Sequence, residues 1–118
     1  MKEDKLGKLS MELSVEVLNL VKDLRAKKEN IISNQIGRSA SSICANIAES
    51  KYGHSRADFI AKLEISLKEA NETGKWLEMI YKTDYIDETK YKFINRICST
   101  IRILLIASIK TAKNNSCK

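Results

Sequence analysis

The chain lacks proline altogether, has only four glycines, and its aromatic residues make up only 6% of 118 residues. Because proline and glycine interrupt helices, their scarcity favours long, uninterrupted helices. Aliphatic residues, lysine and glutamate are abundant, and these residue types favour helices over strands. A length of 118 residues fits one domain with one hydrophobic core. The sequence therefore predicts a single all-α domain.

Long apolar segments are missing too. The N-terminus has no apolar stretch of the secretory type, and the longest apolar run, residues 103–107, is far shorter than the ~20 residues of a membrane span. Cys44, Cys98 and Cys117 are odd in number and form no CxxC motif. We therefore expect a cytoplasmic protein with free thiols, the first two of them in the core.

Motifs for catalysis or metal binding are also missing. The single histidine, His54, falls in a predicted loop, and the chain has no GxSxG elbow, phosphate-binding glycine loop or Glu-x-x-His motif. Cysteine and histidine lack the spacing of a zinc site. Glu49 and Glu69 are candidates for an acid–base pair across two helices, but such carboxylates are often structural. We therefore expect a protein that is not an enzyme and binds no cofactor. A metal-dependent or small-molecule enzyme with its site in the core is kept as an alternative.

Hydrophobic residues recur every three or four positions over four segments, a pattern typical of amphipathic helices. The stripe of the first segment includes Leu13 and Val17, and Met11, Val15 and Leu18 form a second apolar patch beside that stripe. The predicted helices cover residues 8–28, 34–52, 56–82 and 87–113.

Several residues predict how the helices end and pack. Gly53 suits a left-handed position after the second helix, and Ser55 and Asp87 suit the N-caps of the next two helices. Gly74 lies on the apolar seam of the third helix, so we expect a close helix–helix approach there. Pairs of opposite charge four residues apart are expected to stabilise the surface of the third helix, namely Glu64–Lys68 and Glu78–Lys82.

The second predicted helix is nearly free of charge. Arg38 is the only charged residue between Glu29 and Glu49. A helix at the surface of a small protein normally presents a charged face to water, so we expect this helix to be covered on most sides. Arg38 and Glu49 are too far apart to pair within the helix, and each is expected to meet another helix or another subunit.

Apolar residues also lie on helix faces that a monomer would leave exposed. Ile65 and Trp76 lie away from the seam of the third helix, and Ile103 and Ile106 lie in an outer stripe of the fourth. Exposed apolar clusters often mark contact surfaces. We therefore expect a homo-oligomer with these four residues at its interface.

The net charge is +6, and its excess lies at the end of the chain. Residues 87–118 carry seven basic and two acidic side chains, a net +5. Such a segment suits an anionic partner such as RNA or DNA. Lys92, Arg96, Lys110 and Lys113 are the candidate phosphate contacts. The alternative is a scaffold on which the apolar middle of this stripe docks a partner helix.

The run from Arg38 to Ser50, RSASSICANIAES, is followed by Gly53, Ser55 and Phe59, and then by a Ser-Leu-x-Glu motif that ends at Glu69. In order and spacing these residues resemble the signature of the four-helix bundle protein family, also called the 23S rRNA intervening-sequence protein family. The resemblance covers nearly the whole chain. Two positions depart from the family pattern: Cys44 replaces a frequent proline, and Ser50 replaces a usual glycine.

The resemblance implies an antiparallel up-down four-helix bundle that assembles as a homopentameric ring. It also implies a non-enzymatic protein, a related branch of which binds a reverse transcriptase and nucleic acid through a basic surface. The signature polar residues are expected to serve structure and assembly; here they are Arg38, Ser42, Asn46, Glu49 and Glu69.

Overall fold

The computed structural model describes residues 4–116, without the side chain of the last of these. The described chain has no β-strand, which confirms the all-α prediction. It forms four helices: α1 (Lys5–Ala26), α2 (Ile31–Ser50), α3 (Arg56–Lys82) and α4 (Glu88–Ser116).

The first two helices begin earlier than the hydrophobic pattern predicted, because acidic side chains cap them. The Asp4 carboxylate accepts a hydrogen bond of 2.9 Å from the Gly7 amide at the start of α1. At α2, the Glu29 carboxylate accepts hydrogen bonds of 3.2, 3.1 and 2.8 Å from the amides of Ile31, Ile32 and Ser33. A carboxylate in this position satisfies amides that have no partner within the helix and opposes the positive end of the helix dipole.

The two predicted N-caps are confirmed. The Asp58 amide donates to the Ser55 hydroxyl over 3.1 Å, and the Lys90 amide donates to the Asp87 carboxylate over 2.8 Å. These caps place the starts of α3 and α4.

The prediction for Gly53 is wrong, because no described glycine has a positive φ. The left-handed positions belong instead to Lys28 and Asp84, each with φ near 65°. At the end of α1, the Glu29 amide donates to the Leu24 carbonyl over 2.8 Å, and the Tyr85 amide donates to the Ile80 carbonyl over 3.2 Å after α3. These are the bonds that end a helix in a Schellman motif, which usually has glycine at the left-handed residue.

The helices pack around one hydrophobic core. Each helix contacts its neighbours in the chain, and α1 also contacts α4, so that the four surround the core in a molecule of 52 × 24 × 22 Å. The core is made of aliphatic side chains from all four helices, including Leu13, Ile43, Leu77 and Ile101. No helix within residues 4–116 combines the length and the apolar character needed to cross a membrane.

Gly74 does not mark a close approach of helices, contrary to the prediction. Apart from its chain neighbours and the backbone of α3 itself, a Cβ atom added there would have no described atom within 4 Å, whereas a Cβ on Gly37 would lie 3.4 Å from Val21 Cγ2. The closer approach is therefore between α1 and α2. The prediction for Gly74 is wrong because a glycine on an apolar seam has the same sequence pattern whether the neighbouring helix is near or not.

Both described cysteines are free thiols, as predicted. Cys98 is buried, but Cys44 is only half-buried and lies outside the core, which corrects its predicted location. Cys117 lies outside the described residues.

Candidate functional site

The signature residues Arg38 and Glu69 meet at the contact between α2 and α3. The Arg38 guanidinium lies 2.7 Å from the Glu69 carboxylate through Nη1 and 3.2 Å from the Glu72 carboxylate through Nη2. The prediction that Arg38 pairs outside its own helix is thus confirmed. The contact of Arg38 with Glu72 was not predicted. Glu72 lies three residues after Glu69, and this spacing places both carboxylates on one face of the helix.

This arrangement shifts the pKa values of the two carboxyl groups in opposite directions. Burial disfavours the charged form of Glu69, but hydrogen bonds with Glu72, Arg38 and Ser42 outweigh it and hold the pKa of Glu69 below its ordinary value. The hydrogen bond with Glu69, aided by the negative charge of that residue, raises the pKa of Glu72. Glu69 is therefore the ionised partner of Arg38, and Glu72 accepts a proton more readily than an isolated glutamate.

Buried hydroxyls join α2 to α3 beneath this charged cluster. The hydroxyls of Ser39 and Thr73 share a hydrogen bond of 2.8 Å, and the Ser66 hydroxyl donates to the Ile43 carbonyl over 3.2 Å. These contacts are not visible in the sequence pattern of apolar residues, because serine and threonine do not contribute to a hydrophobic seam. Ser66, the serine of the Ser-Leu-x-Glu motif, was the available signal.

The other polar signature residues of α2 have different surroundings. The Asn46 amide donates to the carbonyl and hydroxyl of Ser42, 2.9 and 3.1 Å away, so this contact stays within α2. Glu49 accepts from Lys62 of α3 over 3.3 Å, which confirms that it pairs with another helix. Ser50, which replaces the usual glycine, is buried at the last position of α2 and donates to the Ile47 carbonyl over 2.6 Å.

The predicted phosphate contacts lie along α4 and differ in their pairing. Lys92 lies 2.6 Å from Glu88, which raises the pKa of Lys92, and Lys113 lies 3.0 Å from Glu64. Glu64 thus pairs across helices and not with Lys68 as predicted, whereas the predicted Glu78–Lys82 pair is present at 3.2 Å.

Arg96 and Lys110 are exposed, and neither forms an ion pair with a described residue. No acidic residue occurs in α4 after Glu88. The four cations are therefore spread along the helix, and the structure does not gather them into a single pocket.

The four residues predicted at an oligomer interface are not equivalent. Ile103, Ile106 and Ile65 are 67%, 52% and 43% exposed. Trp76 instead packs partly against the core, and its buried indole N–H has no hydrogen-bond acceptor among the described residues. Trp76 therefore belongs largely to the interior of its own chain.

No group of three or more potential ligands among the described residues is placed to hold a metal ion. Burial raises the pKa of the Cys98 thiol to about 11, which makes this sulfur a poor nucleophile near neutral pH. The best-built polar feature is the α2–α3 cluster, and its geometry suits holding two helices together.

Comparison with known proteins gives the family. A crystal structure from Bacteroides thetaiotaomicron, described as a protein of unknown function from the S23 ribosomal protein family, is similar in sequence and fold. It is 48% identical, the match covers 89% of this chain and 98% of that chain, and the TM-score is 0.87. A search of curated proteins found no match. The family model described as 23S rRNA-intervening sequence protein matches residues 2–107. The chain therefore belongs to the 23S rRNA-intervening sequence protein family.

Proposed function

We propose that this protein is a non-enzymatic, cytoplasmic, up-down four-helix bundle that assembles into a homo-oligomer and binds RNA or a ribonucleoprotein through α4. A pentamer is the assembly that the family resemblance favours. The observation that carries RNA binding is the absence of acidic residues from α4 after Glu88, together with exposed cations, among them Arg96 and Lys110, that form no ion pair with a described residue.

Contacts between helix ends support the up-down arrangement. Lys62, near the start of α3, pairs with Glu49, near the end of α2, and Lys113, near the end of α4, pairs with Glu64, near the start of α3. At the other end of the molecule, the Arg25 guanidinium donates to Asn34 over 2.8 Å. Neighbouring helices that pair start with end run in opposite directions, as short connections require.

The paired lysines of α4 also remain usable for RNA. The Lys92 and Lys113 side chains are more than half exposed in their ion pairs. Exposed ion pairs contribute only about 0–1 kcal/mol, so a phosphate can replace the carboxylate at small cost. With Arg96 and Lys110, they extend over about 31 Å, taking the 1.5 Å rise per residue between positions 92 and 113. That length suits contact with several phosphates of a helical RNA.

Titration of a fluorescent structured RNA at several salt concentrations tests the proposal. The logarithm of affinity should fall linearly with the logarithm of salt, because phosphate binding releases counterions. The variant Arg96→Glu/Lys110→Glu should lose most of the affinity and flatten the slope. The matched control is Lys68→Glu/Lys75→Glu, which makes the same change of charge on exposed positions of α3.

RNA binding is refuted if the wild-type protein shows no affinity at low salt. It is also refuted if the α4 variant and the α3 control bind equally well. Circular dichroism of both variants should show the helix content of the wild type, so that a loss of binding is not a loss of fold.

The second candidate function is a scaffold that docks a helix of a protein partner on α4. It is favoured by the exposure of Ile103 and Ile106 between basic ends. Apolar docking should survive charge reversal at Lys92 and Lys110 in large part, whereas RNA binding should collapse. Retained capture of a partner by that variant, without RNA binding by the wild type, would favour the scaffold.

A further inference from the structure

The outer side of α2 presents small, uncharged side chains to solvent. Ser41, Ala45 and Ala48 are exposed and lie on one side of the helix, at spacings of four and three residues. Met11 of α1 and Ala48 line the same cleft of about 510 Å³ between the two helices, and Met11 and Val15 are 57% and 49% exposed. We call the surface formed by these five residues the α1–α2 face.

This face differs from the other sides of the molecule in its charge. Ion pairs cross the α2–α3 contact at Arg38 and the α3–α4 contact at Lys113. Among the described residues, the ion pair that joins α1 to α2 is Lys51–Asp4, which lies at the end of both helices. An exposed surface that is apolar and rimmed by polar groups is typical of a protein contact.

A second exposed apolar surface lies on α4. Ile103 and Ile106 form it, and we call it the α4 ridge. Helices α2 and α4 do not contact each other within the chain. The α4 ridge therefore cannot cover the outer side of α2 in its own chain, although the shapes suit each other: large side chains on one and small side chains on the other.

Charge argues against pairing of the α4 ridge with itself. Arg96 and Lys110 lie seven residues before and after Ile103. Two ridges crossing at Ile103 in antiparallel directions would place Arg96 opposite Lys110, and parallel ridges would place each cation opposite its own copy. Like charges that face each other across an interface weaken it.

The charges on the outer side of α2 complement those beside the α4 ridge better than a second ridge would. Glu49 lies one turn after Ala45, and its side chain is 61% exposed in a long ion pair with Lys62. Arg38, on the other side of Ala45, is already neutralised by Glu69 and Glu72. A ridge centred on Ala45 can therefore bring one of its flanking cations to Glu49 without opposing an unpaired positive charge.

We propose that the α4 ridge of one copy packs against the α1–α2 face of a second copy, in a head-to-tail contact. The proposal rests on the proposed homo-oligomer and specifies the surfaces that build it. Each copy then has one ridge and one face in use on different sides, so that the contact repeats and closes into a ring when its rotation allows. One flanking cation of α4 meets Glu49 in this contact. The other flanking cation, with Lys92 and Lys113 further along α4, lies outside the apolar contact, where RNA can reach it.

Two single variants test the contact, with native mass spectrometry and sedimentation velocity at the same protein concentration. Ala45→Arg places a charge in the middle of the α1–α2 face, and Ile103→Arg places one in the α4 ridge. Each variant alone should be monomeric. The matched control is Ala61→Arg, the same change at an exposed position of α3, and it should assemble as the wild type does.

Mixing the two variants separates a head-to-tail contact from a symmetric one. Ala45→Arg keeps an intact α4 ridge and Ile103→Arg keeps an intact α1–α2 face, so the mixture should form a one-to-one heterodimer that grows no further. A mixture that stays monomeric overturns the proposal, as does an Ala45→Arg protein that assembles like the wild type. A monomeric wild type would instead refute the homo-oligomer itself.

Discussion

The Glu69 carboxylate lies 2.7 Å from the Arg38 guanidinium, and the two side chains are unequally shielded from water: Arg38 is 52% exposed and Glu69 only 9%. A buried carboxylate loses its hydration, so it depends on its hydrogen-bond partners to stay charged. The solvent-exposed arginine can be rehydrated, but the glutamate cannot. Loss of the Arg38 side chain and loss of the Glu69 side chain should therefore have different consequences for stability.

Replacing Arg38 by methionine should destabilise the fold by about 2 kcal/mol, because it leaves Glu69 buried without its cation. Chemical denaturation at pH 7 measures the change in the free energy of unfolding. The control is Lys62→Met, which removes the exposed partner of Glu49 and should cost less than about 1 kcal/mol. Equal effects of the two variants would contradict the role of burial.

The same pair predicts a dependence on pH. The pKa of Glu69 is lowered in the folded protein from an ordinary 4.5, so its stabilising contribution is present above that pH and is lost as the pH falls through the folded value. The difference in stability between the wild type and Arg38→Met should therefore shrink below pH 4.5. A difference that stays constant down to pH 3 would show that Arg38 acts by packing alone.

The buried hydrogen bond between Ser39 and Thr73 should be visible in a double-mutant cycle. Thr73→Val removes one hydroxyl at nearly constant volume, and Ser39→Ala removes the other. Each single change should cost about 1 kcal/mol, and the double change should cost less than their sum, because the first leaves the second hydroxyl with a poorer partner. Additive costs in urea denaturation would mean that the two hydroxyls do not interact.

Gly74→Ala should stabilise the protein by about 0.5–1 kcal/mol. The added methyl group meets no described atom of a neighbouring helix within 4 Å, and alanine restricts the unfolded chain more than glycine does. The melting temperature should rise by a few degrees. Gly7→Ala is the contrasting variant: its methyl group would overlap the Asp4 carboxylate that caps α1, and the melting temperature should fall.

The Cys98 thiol should weaken the fold at alkaline pH. Its pKa is raised by burial to about 11, so the thiol favours folding below its ordinary value of 9.0 and this contribution is lost as the pH rises towards the folded value. About 2 kcal/mol should disappear between pH 8 and pH 11 from this group. Cys98→Ala should lose less stability over the same range, and identical pH profiles for the two proteins would refute this prediction.

The helices themselves could be predicted from the sequence, because each has a hydrophobic period of three to four residues and few breakers. The N-caps at Ser55 and Asp87 were also predictable, since a capping side chain bonds to amides only a few residues away. The caps by Asp4 and Glu29 were missed, because the apolar pattern begins after them. The position of a helix end depends on a single capping side chain, whereas the existence of a helix depends on many residues.

Contacts between distant residues needed the tertiary structure. The sequence alone showed that Arg38 and Glu49 require partners outside their helix, but not that Arg38 pairs with Glu69 and Glu49 with Lys62. Likewise, Trp76 and Gly74 have the same periodicity whether a neighbouring helix lies close or far. Their exposure was decided by how α2, α3 and α4 pack.

The sequence by itself thus determined the four helices, the charge-poor α2 and the basic α4, since periodicity and charge are local properties of the chain. Only the tertiary structure decided which polar groups share the α2–α3 contact and which apolar residues stay exposed. The physical reason is that burial and pairing energies depend on distances between helices. The sequence pattern determines distances only between residues a few positions apart in the same helix.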